Sequence, residues 1–212
     1  MPDEIEFLVV GLGNPGEEYE FTPHNLGFLV IDRLAASHAI RVSRKENTSL
    51  VGLGKIAGKR VALAKPQTYM NLSGPAVRGL LERYELKPGR LIVVYDELDL
   101  PWGTLRIRLN GSAAGHKGVK SVIGSLGTGE FTRVRLGIHP GNPVEGEKFV
   151  LAPFKRAQKQ DVEETVNRAA EAVESIIAEG AAQAMTKFNA HKRQSAVRDE
   201  GSRAQGLPTE EE

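Results

Sequence analysis

The sequence predicts an α/β fold: a single-domain, three-layer sandwich with a mixed, mostly parallel twisted sheet flanked by helices. Three observations carry this expectation. Phe7-Leu8-Val9-Val10 and Leu91-Ile92-Val93-Val94-Tyr95 are apolar at every position, as strands buried on both faces are. Segments with apolar residues at helical spacing alternate with such runs. Leu105-Arg106-Ile107-Arg108-Leu109 alternates strictly, with one apolar and one basic face, which argues for a mixed sheet rather than a purely parallel one.

In chain order, the first strand stops at Gly11 and is followed by a tight loop, Gly11-Leu12-Gly13-Asn14-Pro15-Gly16. Thr22-Pro23 has the form of an N-cap followed by proline at the first helical position, and Leu26, Leu29, Val30, Ile31 and Leu34 continue a helix to about Ser37. Residues 41–65 hold two or three short strand-like pieces split by Gly54, Gly58 and Lys59. Ser73-Gly74-Pro75 opens a second helix with the stripe Val77, Leu80, Leu81 and Tyr84. The strand over 91–95 runs into Asp96; a loop over 111–115, a short helix over 117–126 and a strand over 134–138 follow. Val162, Val166, Ala169, Val173 and Ile177 mark a long amphipathic helix, and 181–189 suits a second, shorter one. Beyond about His191 the chain is polar with few apolar anchors, so residues 191–212 are expected to be a disordered tail outside a domain of residues 1–190.

The chain has 212 residues and 23.0 kDa, enough to bury about 71% of its unfolded surface in one core. It contains no cysteine, which removes disulfides, thiolate metal sites and cysteine nucleophiles from consideration. No apolar run approaches the roughly 20 residues of a membrane span, and the acidic start, Met1 to Glu6, is unlike a basic signal-peptide start. A cytoplasmic protein without membrane contact is therefore expected. Net charge is only +1, but residues 102–140 carry six Lys/Arg against Glu130 alone, while residues 1–34 carry seven acids against Arg33. Such asymmetry fits a face that attracts a polyanion; it also fits a solvated strand face.

Several motifs fail on context. Gly11 to Gly16 has the form G-x-G-x-x-G, but the helix after it begins only beyond Thr22 and Asp32 lies inside that helix, so a dinucleotide site is not expected. No frame for a phosphate-binding P-loop and no G-x-S-x-G elbow occurs. His24, His38, His116, His139 and His191 show no metal-binding spacing. Neither metal nor cofactor is expected.

Four polar residues do fall where open α/β sheets place ligands: Asn14 after the first strand, His24 at a helix start, Asn71 before another helix, and Asp96 at the end of a central strand. Each also has a structural reading. Asn14 suits a turn, Asn71 a helix cap, Asp96 the satisfaction of nearby amides, and a lone histidine is often a core residue. Taken together they supply a base, a carboxylate to orient it and two amides for an oxyanion, enough for direct attack by water. The positive end of a helix disfavours imidazolium, which suits a histidine that must accept a proton.

The runs VVGLGNPGEEYEFTPHNLGF (9–28), KPQTYMNLSGPAV (65–77), VVYDELDLPWGTLRIR (93–108), GSAAGHKGVKSVIGSLGTGEFTRVRLGI (111–138) and FVLAPF (149–154) resemble the bacterial peptidyl-tRNA hydrolases, in order over roughly residues 6–190. The resemblance implies a cytosolic, monomeric, cofactor-free enzyme that cleaves the ester between a peptide and the 3′ end of tRNA. It implies His24 as catalytic base, Asp96 as the group that holds it, and Asn14 on the peptide side. Tyr19, Tyr69, Met70, Asn71 and His116 match substrate- or tRNA-binding positions, and Arg108 and Arg135 match basic residues that grip the acceptor stem. Lys117 stands in Gly115-His116-Lys117-Gly118 where the family usually has asparagine, and Trp102 where a second proline is common. A phosphate contact through Lys117 is expected, with a solvent-facing lysine as the alternative. The competing functions are an RNA-binding relative without turnover and a nucleotide-dependent oxidoreductase.

Overall fold

The computed structural model describes residues 4–189, so the expected tail from 191 lies outside the described residues. The chain runs β1 (Phe7–Gly11), α1 (Leu26–Ser37), β2 (Arg44–Glu46), β3 (Ser49–Ile56), β4 (Lys59–Pro66), α2 (Ser73–Arg83), β5 (Leu91–Pro101), β6 (Leu105–Arg108), α3 (Lys117–Leu126), β7 (Thr132–His139), α4 (Gly146–Leu151), α5 (Lys159–Glu179) and α6 (Ala181–Asn189). Among the described residues no helix is long and apolar enough to cross a membrane.

The seven strands form one sheet in the order β2-β3-β4-β1-β5-β7-β6. Its centre is parallel, with β1 between β4 and β5, and β5 beside β7. The β2–β3–β4 hairpins and the β6–β7 pair are antiparallel at the two sides. The central strands read as continuous apolar runs because both faces are covered. Val9, Ile92, Val94 and Val134 pack with α1, α5 and α6, while Leu8, Val10, Val93 and Tyr95 pack with α2 and α3.

Two features place the functional residues. An added Cβ on Gly27 would lie 2.5 Å from the carbonyl oxygens of Leu12 and Val94, so glycine lets the start of α1 press onto the ends of β1 and β5. Glycine at 118 likewise leaves room for the Met70 sulfur beneath α3. Helix α1 begins later than the sequence suggested, because Pro23–Asn25 forms a separate 3₁₀ turn. Thr22 makes no side-chain cap there; its hydroxyl donates to the Tyr19 carbonyl instead. At the far side of the sheet, Asn189 accepts from the Ile107 N–H (2.7 Å) and donates to the Ile107 carbonyl (3.0 Å), so its amide covers the outer edge of β6 as a neighbouring strand would.

Candidate active site

A cleft of about 620 Å³ opens at the C-terminal ends of β1 and β5. Its floor is a chain of buried hydrogen bonds. His24 Nδ1 lies 3.0 and 3.1 Å from the two carboxylate oxygens of Asp96, and His116 Nε2 lies 3.1 Å from Asp96 Oδ1. His116 is the N-cap of α3: its Nδ1 accepts the Val119 N–H at 3.2 Å. An Nδ1 that accepts carries no proton, so the neutral His116 ring carries its proton on Nε2 and donates it to Asp96. Asp96, which must accept on both sides, takes its second hydrogen bond from His24 Nδ1–H, and the lone pair of His24 is thereby left on Nε2. Tyr95 fixes the plane of His116 edge-on, with ring centroids 4.9 Å apart.

Electrostatics agree with this direction. Complete burial would raise the Asp96 carboxyl, but hydrogen bonds from His116 and then His24, and the positive charge these rings carry when protonated, outweigh it and hold the group well below the ordinary carboxylate range. Asp96 is therefore a carboxylate at neutral pH. His24, Asp96 and His116 also bring three possible metal-donor atoms within 4.8 Å of one another. They do not suit a cation as they stand, because His116 would have to give up either its Nε2 proton or the Val119 hydrogen bond to offer a lone pair.

A second locked group sits beside the first. The Asn25 side chain accepts from the Asn14 N–H at 2.8 Å and donates to the Asn14 carbonyl at 2.9 Å, which ties the loop after β1 to the turn that carries His24. The Met70 N–H donates to Asn14 Oδ1 at 2.8 Å, so the other end of that amide, its NH₂, is the one left for the cleft. Asn71 is exposed on the same wall and caps no helix; α2 begins at Ser73, whose hydroxyl donates to the Met70 carbonyl. Tyr69 is 62% exposed at the rim, and Tyr19 lines the same cleft half-buried.

The cleft thus gathers Asn14, Tyr19, His24, Tyr69, Met70, Asn71, Asp96, His116 and Lys117 from six separate segments. The family model for peptidyl-tRNA hydrolase matches residues 8–196. The chain belongs to the peptidyl-tRNA hydrolase family. The peptidyl-tRNA hydrolase of Solibacter usitatus is 59% identical over 184 residues, 86% of this chain and 94% of that protein. That of Bacillus subtilis is 45% identical over 186 residues, 86% of this chain and 98% of the other. The crystal structure of peptidyl-tRNA hydrolase from Acinetobacter baumannii superposes with a TM-score of 0.81 at 32% identity, covering 90% of this chain and 98% of that one.

Arg108 and Arg135 stand outside the cleft lining, on the basic side of the sheet. Arg108 is exposed on β6. Arg135 is mostly buried, with Nε and Nη2 donating to Glu97 Oε2 at 2.9 and 2.8 Å. Arg133, counted in the basic segment, is only 2% exposed; its guanidinium donates to the carbonyls of Gly111, Ser112 and Gly129 and so clips the loop before His116. Lys117 reaches across the cleft mouth to Glu147 on α4, 2.8 Å away, and draws that exposed carboxyl below its usual range. Sequence reasoning passed over Asn25, Glu97 and the α4 wall of Gly146, Glu147, Val150 and Leu151. The signal for Asn25 was its place directly after His24; α4, at six residues, offers no periodicity to find.

Proposed function

We propose that this chain hydrolyses the ester between peptide and tRNA in peptidyl-tRNA, with His24 as general base, Asp96 as the group that orients it and water as the nucleophile. The observation that supports this most directly is the pair of hydrogen bonds that converge on Asp96, one from His116 Nε2–H and one from His24 Nδ1–H, which leaves His24 Nε2 able to accept a proton in the cleft. A water proton passes to Nε2 while the oxygen adds to the ester carbonyl carbon. Collapse of the tetrahedral intermediate breaks the bond to the ribose oxygen, which takes the proton back from His24. Asp96 stabilises the imidazolium in between.

The Asn14 side-chain NH₂ is placed to donate to the oxyanion or to the peptide, and Asn71 offers a second amide. Tyr19, Tyr69 and Met70 line the path of the 3′ end and its ester, with His116 at the base of the cleft. Arg108, Arg135 and Lys117 contact the acceptor stem through phosphate. The substrate is bound by one copy of the chain, as a monomer in the cytoplasm. The deciding assay follows ester release from N-acetyl-aminoacyl-tRNA by wild type and His24→Ala side by side, with tRNA binding measured on both. Equal release by the two proteins rules His24 out as base, and binding without release by the wild type identifies an RNA-binding relative.

A further inference from the structure

Glu97 is a buried carboxylate that the hydrolytic chemistry does not use. It follows Asp96 directly, is 2% exposed, and lines the cleft from the strand that also carries Asp96. Alternation along β5 and its register with β7 put Tyr95 and Glu97 on the face that carries Arg133 and Arg135, with Arg135 opposite Tyr95. Strand β6 adds Arg106 opposite Arg135 and Arg108 opposite Arg133. Glu97 is thus a carboxylate set beside an arginine-rich face, and its charge is met by Arg135.

The geometry of that pair is one-sided. Both bonds from Arg135 end on Glu97 Oε2, one from Nε and one from Nη2. A guanidinium has five N–H groups, so two are held by Glu97 and three, including both on Nη1, stay available. The Arg135 side chain keeps 19% of its surface exposed, against 2% for Glu97. A planar fork held along one edge has its direction fixed, and a planar fork of fixed direction is what phosphate recognition needs.

We propose that Glu97 is a positioning residue for tRNA binding: it aims the Arg135 guanidinium at a phosphate of the acceptor stem and links that anchor to Asp96 through a single peptide unit. The proposal rests on the reading of Arg135 as a phosphate contact. It turns an ion pair into a ruler, because the distance from anchored phosphate to scissile ester is then set by adjacent residues of one strand. The opposite possibility is that Glu97 only neutralises Arg135 and weakens its hold on phosphate. The two differ in sign.

The test is steady-state turnover of N-acetyl-aminoacyl-tRNA at several salt concentrations by wild type, Glu97→Gln, Glu97→Asp and Arg135→Ala, with melting temperatures for each. Glu97→Asp keeps the buried charge but retracts it by one methylene, so it tests aim even where Glu97→Gln folds poorly. If Glu97 aims Arg135, both Glu97 variants raise KM about five- to tenfold, the scale of one ordinary hydrogen bond, because the guanidinium stays present but loses its fixed direction. Their kcat changes less than KM, and the log–log salt slope falls by up to about 0.7–0.9, the worth of one phosphate contact. The KM increase shrinks on a short ester that lacks the acceptor stem. A KM that falls or stays level in Glu97→Asp, while Arg135→Ala raises it, overturns the proposal and leaves the phosphate reading standing. A KM and slope unchanged in Arg135→Ala overturn both.

Discussion

The inner end and the outer rim of the cleft are built on opposite principles. At the inner end, His24, Asp96, His116, Asn14 and Asn25 are all buried, and each hydrogen bond fixes the direction of the next. At the rim, Lys117 and Glu147 meet with side chains 59% and 72% exposed, and Tyr69 stands open to solvent. Buried, satisfied networks hold a geometry rigidly, whereas exposed ion pairs contribute little and are screened by salt. Under the proposed mechanism the comparison becomes a division of labour, in which the inner end sets the rate of bond cleavage and the rim sets how substrate is gathered.

The largest effect that can break this division lies at His24. His24→Ala should lower kcat at least about 10²-fold, the usual scale for a general base, with KM for tRNA changing far less. A rim-like result, with KM altered and kcat intact, would erase the distinction.

Asp96→Asn comes next. It should lower kcat and remove about 1.5–3 kcal/mol of stability at neutral pH, the range for hydrogen bonds to a charged group. The sign of its pH dependence follows from the lowered Asp96 carboxyl. A carboxyl that titrates lower folded than unfolded adds stability above its unfolded value near 3.9, and loses it as pH falls from there through the folded value. The gap in melting temperature between wild type and Asp96→Asn should therefore be widest near neutrality and narrow below about pH 4. A gap constant down to pH 2 would mean that Asp96 is not held as a charged acceptor.

Asn25→Ala sharpens the comparison from beside the site. It touches no substrate in this arrangement, yet it strands the buried Asn14 N–H and carbonyl, at a cost of about 1–3 kcal/mol. Thermal unfolding should register that cost, and kcat should fall more than KM rises because Asn14 loses its fixed direction. An Asn25→Ala protein with wild-type kcat would show that the Asn14 orientation does not depend on this lock.

The smallest effects belong to the rim. Lys117→Asn should change stability by less than about 0.5 kcal/mol and lower the log–log salt slope for tRNA by about 0.7–0.9. Glu147→Gln, which releases Lys117 from its partner, should shift KM the opposite way. Salt-dependent KM values for the two variants decide it; the same sign in both would mean that the ion pair, rather than the lysine, serves binding.

Much of this was legible from residue order. The short helix expected over 117–126 matches α3, and the apolar runs became β1 and β5 because continuous apolarity reports cover on both faces. The residues at the strand and helix ends, Asn14, His24, Asn71 and Asp96, do line one cleft. What escaped depends on partners far away in sequence. Arg133 reads as one of several exposed cations in an alternating basic stretch, but the face it occupies is covered by the loop it clips, 21 and 22 residues earlier. Glu97 lies in an acidic Asp-Glu-Leu-Asp run that names no partner, yet β5 continues to Pro101 and the Glu97 carboxylate meets the Arg135 guanidinium, 38 residues on. The 3₁₀ turns at Pro23–Asn25 and Met70–Leu72, which deliver His24 and Asn71, are too short to leave a period.

The Asn189 amide that covers β6 carries a consequence for biosynthesis. Ile107 precedes its cap by 82 residues, so the outer edge of the sheet is complete in sequence long before the residue that shields it has been made. At about 5–20 residues per second, the nascent chain carries that edge uncapped for about 4–16 s. During that interval the alternating arginines of β6 are its guard, since charge along an open strand discourages pairing with other chains. Under the proposed function, the basic strand that meets tRNA phosphate in the finished protein would also discourage edge-to-edge pairing of the unfinished one.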